Sequence, residues 1–187
     1  MTTEDIFRRI IGALDAAGIP YMLTGSFASS YHGIPRATQD IDLVIAPTAG
    51  QLRHLVNLFP DTEYYISGEA ALDALARESQ FNLIDFVTGW KIDLIIRKSR
   101  AFSRTEFERR SAVDLFGLPL FIASLEDVLV AKLEWAKTGQ SVRQLEDCAN
   151  LIRVRWDELD RAYIGHWVAQ LGLKEQWESA QRMAGMG

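Results

Sequence analysis

The chain has 187 residues, of which 48% are hydrophobic and 24% charged, with a formal net charge of −5 and a single cysteine. This composition suits a soluble globular core and excludes an internal disulfide, a membrane span and a surface that is basic throughout. With no secretory signal visible at the N-terminus, we expect a cytoplasmic protein with no membrane partner.

The N-terminal elements are predicted as helix, strand, tight turn and helix. Residues 3–17 carry apolar side chains at helical spacing, and a glycine and a proline follow as stop signals. The short apolar run 21–24 then enters Gly25 and Ser26, after which 27–31 forms one or two helical turns.

Strands and helices continue to alternate through the middle of the chain. Apolar and β-branched runs predict strands, and apolar residues at helical spacing predict helices. The predicted strands are 41–45, 81–87, 91–96, 113–115 and 118–122, and the predicted helices are 51–58, 68–77 and 104–109.

From Ser124 onward the pattern is helical. Ser124 is a suitable N-cap, Glu126 and Asp127 lie in the first turn, and two or three further helices follow. We therefore predict an α/β (α+β) fold with two parts. Residues 1–122 form a core with a mixed sheet flanked by helices, and residues 123–187 form a helical lobe packed on that core.

Asp40 and Asp42 are the strongest candidates for a metal site. Residues two apart on a strand project to the same face, so the two carboxylates point together and repel each other unless a cation lies between them. Mg²⁺ suits a site of carboxylates completed by water and substrate phosphates. We expect Mg²⁺, with Mn²⁺ as the alternative.

Asp93 interrupts the apolar strand 91–96, where an unpaired carboxylate would be costly to bury. It lies either at an exposed strand edge or at the metal site, as a third ligand or as the general base toward an acceptor hydroxyl. Asp85 competes for this role. We favour Asp93 because its neighbours are more continuously apolar.

Gly25 and Ser26 are predicted to hold phosphates. A residue without a side chain lets the backbone of a turn approach a triphosphate, and Ser26 and the amides that open the next helix supply donors. The expected reaction is attack of an acceptor hydroxyl on the α-phosphorus with departure of pyrophosphate.

These residues resemble the nucleotidyltransferase superfamily related to DNA polymerase β, whose signature is a Gly-Ser turn, an Asp-x-Asp pair and a third acid on a later strand. The resemblance covers about the first 100 residues. It implies the nucleotidyltransferase-like fold and transfer of a nucleoside monophosphate from an NTP.

More narrowly, the stretch from His32-Gly33 through Arg36-x-Thr38 to the acids resembles AbiEii-type toxins and related orphan nucleotidyltransferases. That resemblance implies nucleotide-binding roles for Arg36 and Thr38. It also implies catalytic roles for Lys132 and Asp147 in the helical part. The gap between Gly25 and the acids is about two residues longer than in minimal nucleotidyltransferases, and no arginine-glycine pair follows the Gly-Ser turn.

The acceptor is left open by the sequence. The resemblance suggests a tRNA end, a protein hydroxyl or a small molecule such as an aminoglycoside, and it suggests a toxin or antitoxin partner. The alternatives are a nucleotide-binding or toxin–antitoxin regulatory module with little turnover, and a phosphotransferase that moves the γ-phosphate.

Three further features have competing interpretations. The basic residues between Arg97 and Arg110 form either a phosphate-contacting patch or a solvated face. His32 either touches the nucleotide or is a polar surface group, and Cys148 is expected to be a buried apolar residue.

Overall fold

The computed structural model describes residues 2–186, and these residues form nine α-helices and seven β-strands. The α/β fold class is thereby confirmed. Within this part of the chain, no helix combines the length and the apolar character that crossing a bilayer requires. The helices are α1 (Thr3–Ala16), α2 (Gly25–His32), α3 (Ala49–Asn57), α4 (Gly68–Arg77), α5 (Ala101–Glu108), α6 (Leu125–Gly139), α7 (Val142–Arg155), α8 (Arg161–Leu171) and α9 (Lys174–Ala184), and the strands are β1 (Tyr21–Thr24), β2 (Asp40–Ile45), β3 (Tyr64–Ile66), β4 (Gln80–Asp85), β5 (Lys91–Ile96), β6 (Ser111–Leu115) and β7 (Leu118–Ile122).

The first compact unit, which we call the α/β unit, runs up to Thr24 and resumes at Thr38–Ile122. Its seven strands form one sheet in the order β3-β4-β5-β2-β1-β7-β6. The pairs β2–β5 and β1–β7 are parallel, and the other neighbours are antiparallel. The sheet is therefore mixed, with the parallel pair β2–β5 near its centre.

One face of this sheet packs against helices. Ile92 and Leu94 of β5 line a common apolar space with Ile10 and Leu14 of α1 and with Leu55 of α3. All five are buried to 4% exposure or less. Because side chains alternate along a strand, Lys91 and Asp93 project from the opposite face of β5.

The predicted helix starts are formed by side-chain caps. Thr2 and Asp5 make a reciprocal capping box at α1, and Thr48 and Gln51 make another at α3. The strand β3, which has three residues and pairs with β4, was not predicted. A run this short carries no alternation by which it could be recognised.

The second unit, which we call the helical unit, consists of Gly25–Ala37 together with the chain from Ala123 on. The sequence placed 25–37 with the α/β core, whereas in the structure it clusters with the C-terminal helices. Nε2 of His32 lies 2.8 Å from the Ala123 carbonyl oxygen, and Nε of Arg155 donates to the His32 carbonyl at 2.8 Å. These bonds fasten the end of α2 to α6 and α7.

The interior of the helical unit contains Cys148, which has no exposed surface. Its thiol lies 3.7 Å from the Leu129 carbonyl oxygen, and burial raises its pKa to about 12. A thiol in this state stays protonated and behaves as the small apolar residue that the sequence suggested.

His32 makes the stability of the helical unit sensitive to acid. Burial lowers the pKa of its imidazole below 6.5, although the bond to Ala123 acts in the opposite direction. The unfolded chain therefore binds a proton more readily than the folded chain. Its contribution to stability is present above pH 6.5 and is lost as the pH falls through the lower pKa of the folded state.

We expect the unfolding free energy of the wild type to fall more steeply below pH 6.5 than that of His32→Gln. Urea unfolding followed by circular dichroism over a series of pH values measures this difference. The exposed His54 gives the control variant His54→Gln, which should keep the wild-type pH dependence. If the unfolding free energy of wild type and of His32→Gln had the same pH dependence, His32 would not be the source of the acid sensitivity.

Candidate active site

A row of polar side chains crosses the face of the sheet opposite α1 and α3. Thr24 of β1 pairs with Asp42 of β2, Asp42 pairs with Asp93 of β5, and Asp93 pairs with Asn82 of β4. Register partners on neighbouring strands project to the same face. The row therefore spans four neighbouring strands with the two acids at its centre.

Asp40 lies on the same face as Asp42, two residues earlier on β2, and its register partner is Lys91. Asp40 is exposed, Asp42 is half-buried, and Asp93 is 8% exposed. The structure thus brings the three predicted acids to one face of two paired strands. A lysine, which the sequence analysis had not singled out, lies among them.

Lys91 forms an ion pair with Asp93. Its Nζ lies 2.8 Å from Oδ1 and 2.9 Å from Oδ2, and only the contact with Oδ2 has hydrogen-bond geometry. Oδ1 is buried and accepts no hydrogen bond from residues 2–186, and the same holds for Oδ1 of Asn82. The Lys91 side chain itself is 40% exposed, so it can move away from the carboxylate.

The charges at this face act on one another. The hydrogen bond with Asp93 raises the pKa of the Lys91 ammonium, burial lowers it, and the negative charges of Asp93, Asp40 and Asp42 raise it further. All three carboxylates therefore contribute to a negative potential that stabilises a cation at this position.

The carboxylate oxygens of Asp40 and Asp42 are donors of the kind that a divalent metal ion binds. Residues 2–186 contain no group of three or more His, Cys, Asp or Glu side chains arranged to hold a metal ion. Mg²⁺ commonly uses only one or two carboxylates and takes its other ligands from water and phosphates. Asp40 and Asp42 supply two hard oxygen donors where the potential favours a cation, so the residues present fit Mg²⁺.

Asp85, the competing acid, lies on the other face of the sheet. Asn82 is the β4 partner of Asp93, and Asp85 is three residues further along, so its side chain points away from the row. Its Oδ1 accepts hydrogen bonds from the amides of Val87 and Thr88 at 2.8 and 3.1 Å. Asp85 therefore caps the turn that joins β4 to β5.

The predicted phosphate-binding residues lie in the helical unit. Gly25 opens α2 with φ of 64°, a left-handed conformation that favours glycine. The first amides of a helix have no partners within the helix, and they form an anion-binding end. The hydroxyl of Ser26 accepts a hydrogen bond from Nη2 of Arg36.

Arg36 connects this turn to a buried ion pair. Its Nε donates to the carboxylate of Asp147 at 3.1 Å, and Nζ of Lys132 lies 2.7 Å from Oδ2 of the same carboxylate. Lys132 and Asp147 are 3% and 6% exposed, and Gln144 accepts a further hydrogen bond from Lys132 at 3.1 Å. The four predicted residues Ser26, Arg36, Asp147 and Lys132 therefore form one continuous network.

Thr38 has a local role in the structure. Its hydroxyl accepts a hydrogen bond from the Asp40 amide at 3.2 Å, which fixes the entry to β2. Sequence reasoning missed Lys91 and Asn82. The available signal was a polar residue within each of two apolar strands, Lys91 being two positions before Asp93.

Three solved structures with similar folds can be compared with this chain. ANT(2″)-Ia in complex with adenylyl-2″-tobramycin is 13% identical, with 93% of this chain and 99% of that chain covered and a TM-score of 0.55. The lincomycin-bound lincosamide antibiotic adenylyltransferase LnuA is 15% identical, with 81% and 96% covered and a TM-score of 0.52. An antigenic nucleotidyltransferase-like protein from Paracoccidioides brasiliensis is 17% identical, with 92% and 89% covered and a TM-score of 0.51.

The chain therefore has the fold of nucleotidyltransferases, as its motifs implied. No family model and no curated protein matches the sequence. At identities this low, the likeness identifies the fold alone, and the chemistry must be argued from the residues.

Replacement of Asp85 should destabilise the turn between β4 and β5. Asp85→Ala leaves two turn amides without their acceptor, so we expect a loss of about 1–3 kcal/mol in unfolding free energy, measured by urea denaturation. Asp85→Asn, which keeps one oxygen acceptor, should recover part of this loss. Unchanged stability of Asp85→Ala would contradict the capping role.

The stability of the protein should depend strongly on keeping both partners of the buried Lys132–Asp147 ion pair. Asp147→Asn leaves Lys132 buried without an anionic partner, and we expect a loss of about 3–5 kcal/mol in unfolding free energy. The double variant Lys132→Met/Asp147→Leu removes both charges and should recover most of the stability. Asp73→Asn, in an exposed pair with Arg77, is the control and should change stability by no more than about 0.5 kcal/mol.

Proposed function

We propose that this chain is a Mg²⁺-dependent nucleotidyltransferase that transfers a nucleoside monophosphate from an NTP to an acceptor hydroxyl, releasing pyrophosphate. The observation that carries the proposal is the register of β2 and β5. It brings Asp40, Asp42 and Asp93 to one face of the sheet in a nucleotidyltransferase fold.

In this proposal Asp40 and Asp42 hold the divalent cation. When bound, the ion would neutralise charge on the phosphates, on the attacking acceptor oxygen and on the leaving oxygen of pyrophosphate. Mn²⁺ would meet the same carboxylates. The pKa of Lys91 is raised mainly by its hydrogen bond with Asp93, and the charges of Asp40 and Asp42 raise it further, which supports this assignment.

Asp93 is assigned as the proton acceptor. Its Oδ1 accepts no hydrogen bond within residues 2–186, and displacement of the exposed Lys91 side chain opens it to a hydroxyl. The acceptor oxygen forms a bond to the α-phosphorus while its proton passes to Asp93. The bond from the α-phosphorus to the bridging oxygen breaks, and pyrophosphate leaves with that electron pair.

The donor's phosphates are assigned to Gly25 and Ser26 and to the amides at the start of α2. Arg36 fixes the Ser26 hydroxyl by donating a hydrogen bond to it. The burial of Lys132 and Asp147 supports a positioning role for them through Arg36, instead of the catalytic role that the resemblance implied.

A small hydroxylated molecule is the acceptor class that we favour. ANT(2″)-Ia was solved with adenylylated tobramycin and LnuA with lincomycin, both on folds similar to this one. A tRNA end and a protein hydroxyl are the other acceptors that the sequence suggested. The toxin or antitoxin partner and the cytoplasmic location stay predictions.

The test is incubation of the full chain with each α-labelled NTP, Mg²⁺ or Mn²⁺, and separate panels of aminoglycosides, lincosamides, tRNA and protein. We expect label transfer with release of pyrophosphate in one panel. Release of ADP with transfer of the γ-phosphate would instead identify a phosphotransferase. Nucleotide binding without transfer in every panel would favour the binding module.

Variants separate the metal role from the proton-acceptor role. Asp42→Asn should lose both Mn²⁺ binding, measured by electron paramagnetic resonance, and transfer. Asp93→Asn should keep Mn²⁺ binding and lose transfer by about 10²–10⁴-fold. Asp73→Asn, an exposed acid in α4, should behave as wild type. If Asp93→Asn loses Mn²⁺ binding as well, Asp93 is a ligand and the proton-acceptor assignment is wrong.

A further inference from the structure

Two arginines of the α/β unit share one aromatic ring. The guanidinium carbon of Arg97 lies 5.5 Å from the centroid of Phe107, and that of Arg110 lies 4.1 Å from the same centroid. Arg110 also lies 5.2 Å from the centroid of Phe121. Cation–π contacts of this kind hold guanidinium groups in place without neutralising them.

Neither guanidinium is neutralised by an acid. Among residues 2–186, neither Arg97 nor Arg110 forms an ion pair, and the Nε atom of each is buried without a hydrogen-bond acceptor. Glu78 is influenced by the charge of Arg97, but its carboxylate is bound to the Ser99 amide at 3.0 Å. Within residues 2–186, the two adjacent positive charges therefore have no carboxylate in ion-pair contact, and Glu78 acts on Arg97 only from a longer distance.

Arg97 and Arg110 repel each other. Burial lowers the pKa of its guanidinium, and the positive charge of Arg97 lowers it further. A bound anion would reverse the second effect. Guanidinium groups supply paired donors that match the oxygens of phosphate.

We propose that Arg97 and Arg110 form a binding site for a phosphate group, separate from the carboxylate site. Arg97 directly follows β5, four residues beyond Asp93, which is a distance of about 13 Å along an extended strand. The phosphate is either a free ion or a phosphodiester of a nucleic-acid strand. The exposed Lys98 follows Arg97 along the chain, and the exposed ring of Phe121 lies beside Arg110, which suits both sources.

The surroundings distinguish this pair from an ordinary solvated basic face. Solvated arginines satisfy their donors with water, whereas the Nε atoms of these two are shielded from water. Phe121 is 41% exposed and offers a ring on which a base can stack if the phosphate belongs to a single strand.

The experiment measures binding of inorganic phosphate by calorimetry and of a short fluorescein-labelled single-stranded RNA by anisotropy. The full-length wild type is compared with Arg97→Gln, Arg110→Gln and the control Arg53→Gln, an exposed arginine of α3. We expect each site variant to weaken binding of at least one probe about tenfold, and the control to bind as wild type.

The two sources give different outcomes that both support the site. If RNA is the ligand, phosphate competes with it, and each site variant lowers the slope of log Kd against log salt by about one. If a free ion is the ligand, phosphate raises the Tm of the wild type but not that of the site variants. Should Arg110→Gln fail to fold, the half-buried Arg97 gives the same test.

The proposal is overturned if neither probe binds the wild type, or if both site variants bind as tightly as Arg53→Gln. These results leave nucleotide transfer untouched, because the binding assay uses neither NTP nor acceptor.

Discussion

Lys91 is the group that allows three carboxylates to share one face of a β-sheet. The parallel register of β2 and β5 places Asp42 beside Asp93 and Asp40 beside Lys91, so a lysine lies within the row of acids. Without a cation the carboxylates would repel one another at the centre of the sheet. The negative charges of Asp93, Asp40 and Asp42 all act on Lys91, and the same potential suits the divalent ion that we propose for this face.

The helical unit also places an acid beside cations, with Lys132 and Asp147 buried and Arg36 half-buried. Asp147 receives donors from both Arg36 and Lys132, and its Oδ2 atom accepts from both side chains. Buried ion pairs of this kind contribute geometry more than stability. Here the geometry reaches Ser26, so the placement of one hydroxyl depends on a charge balance two side chains away.

Local patterns in the sequence were sufficient for most elements of this fold. Alternation placed Asp40 and Asp42 on one face, and the N-cap Ser124 marked where α6 begins. What local patterns lacked was register. The composition of the strand favoured Asp93 over Asp85, but the position of Asp93 beside Asp42 depends on how β2 and β5 align and not on the composition of either strand.

Contacts between distant parts of the chain were equally invisible. Arg36 and Asp147 are 111 residues apart, and their motifs could be recognised separately without showing that they touch. The assignment of 25–37 to the helical unit has the same origin, since it rests on partners far along the chain. The network around Asp147 was therefore out of reach until the fold was known.

The position of residues 25–37 in the helical unit also determines when this segment can fold during translation. His32 is fastened to a carbonyl 91 residues later and to an arginine 123 residues later. The ribosome releases the Gly25–Ser26 turn long before these partners exist. The segment assigned to phosphate binding therefore cannot form its native contacts until most of the chain has been synthesised. Contacts that close such long loops form slowly. A chain without its C-terminal helices would contain all seven strands and the three acids, but the segment 25–37 would lack the partners that hold it in place.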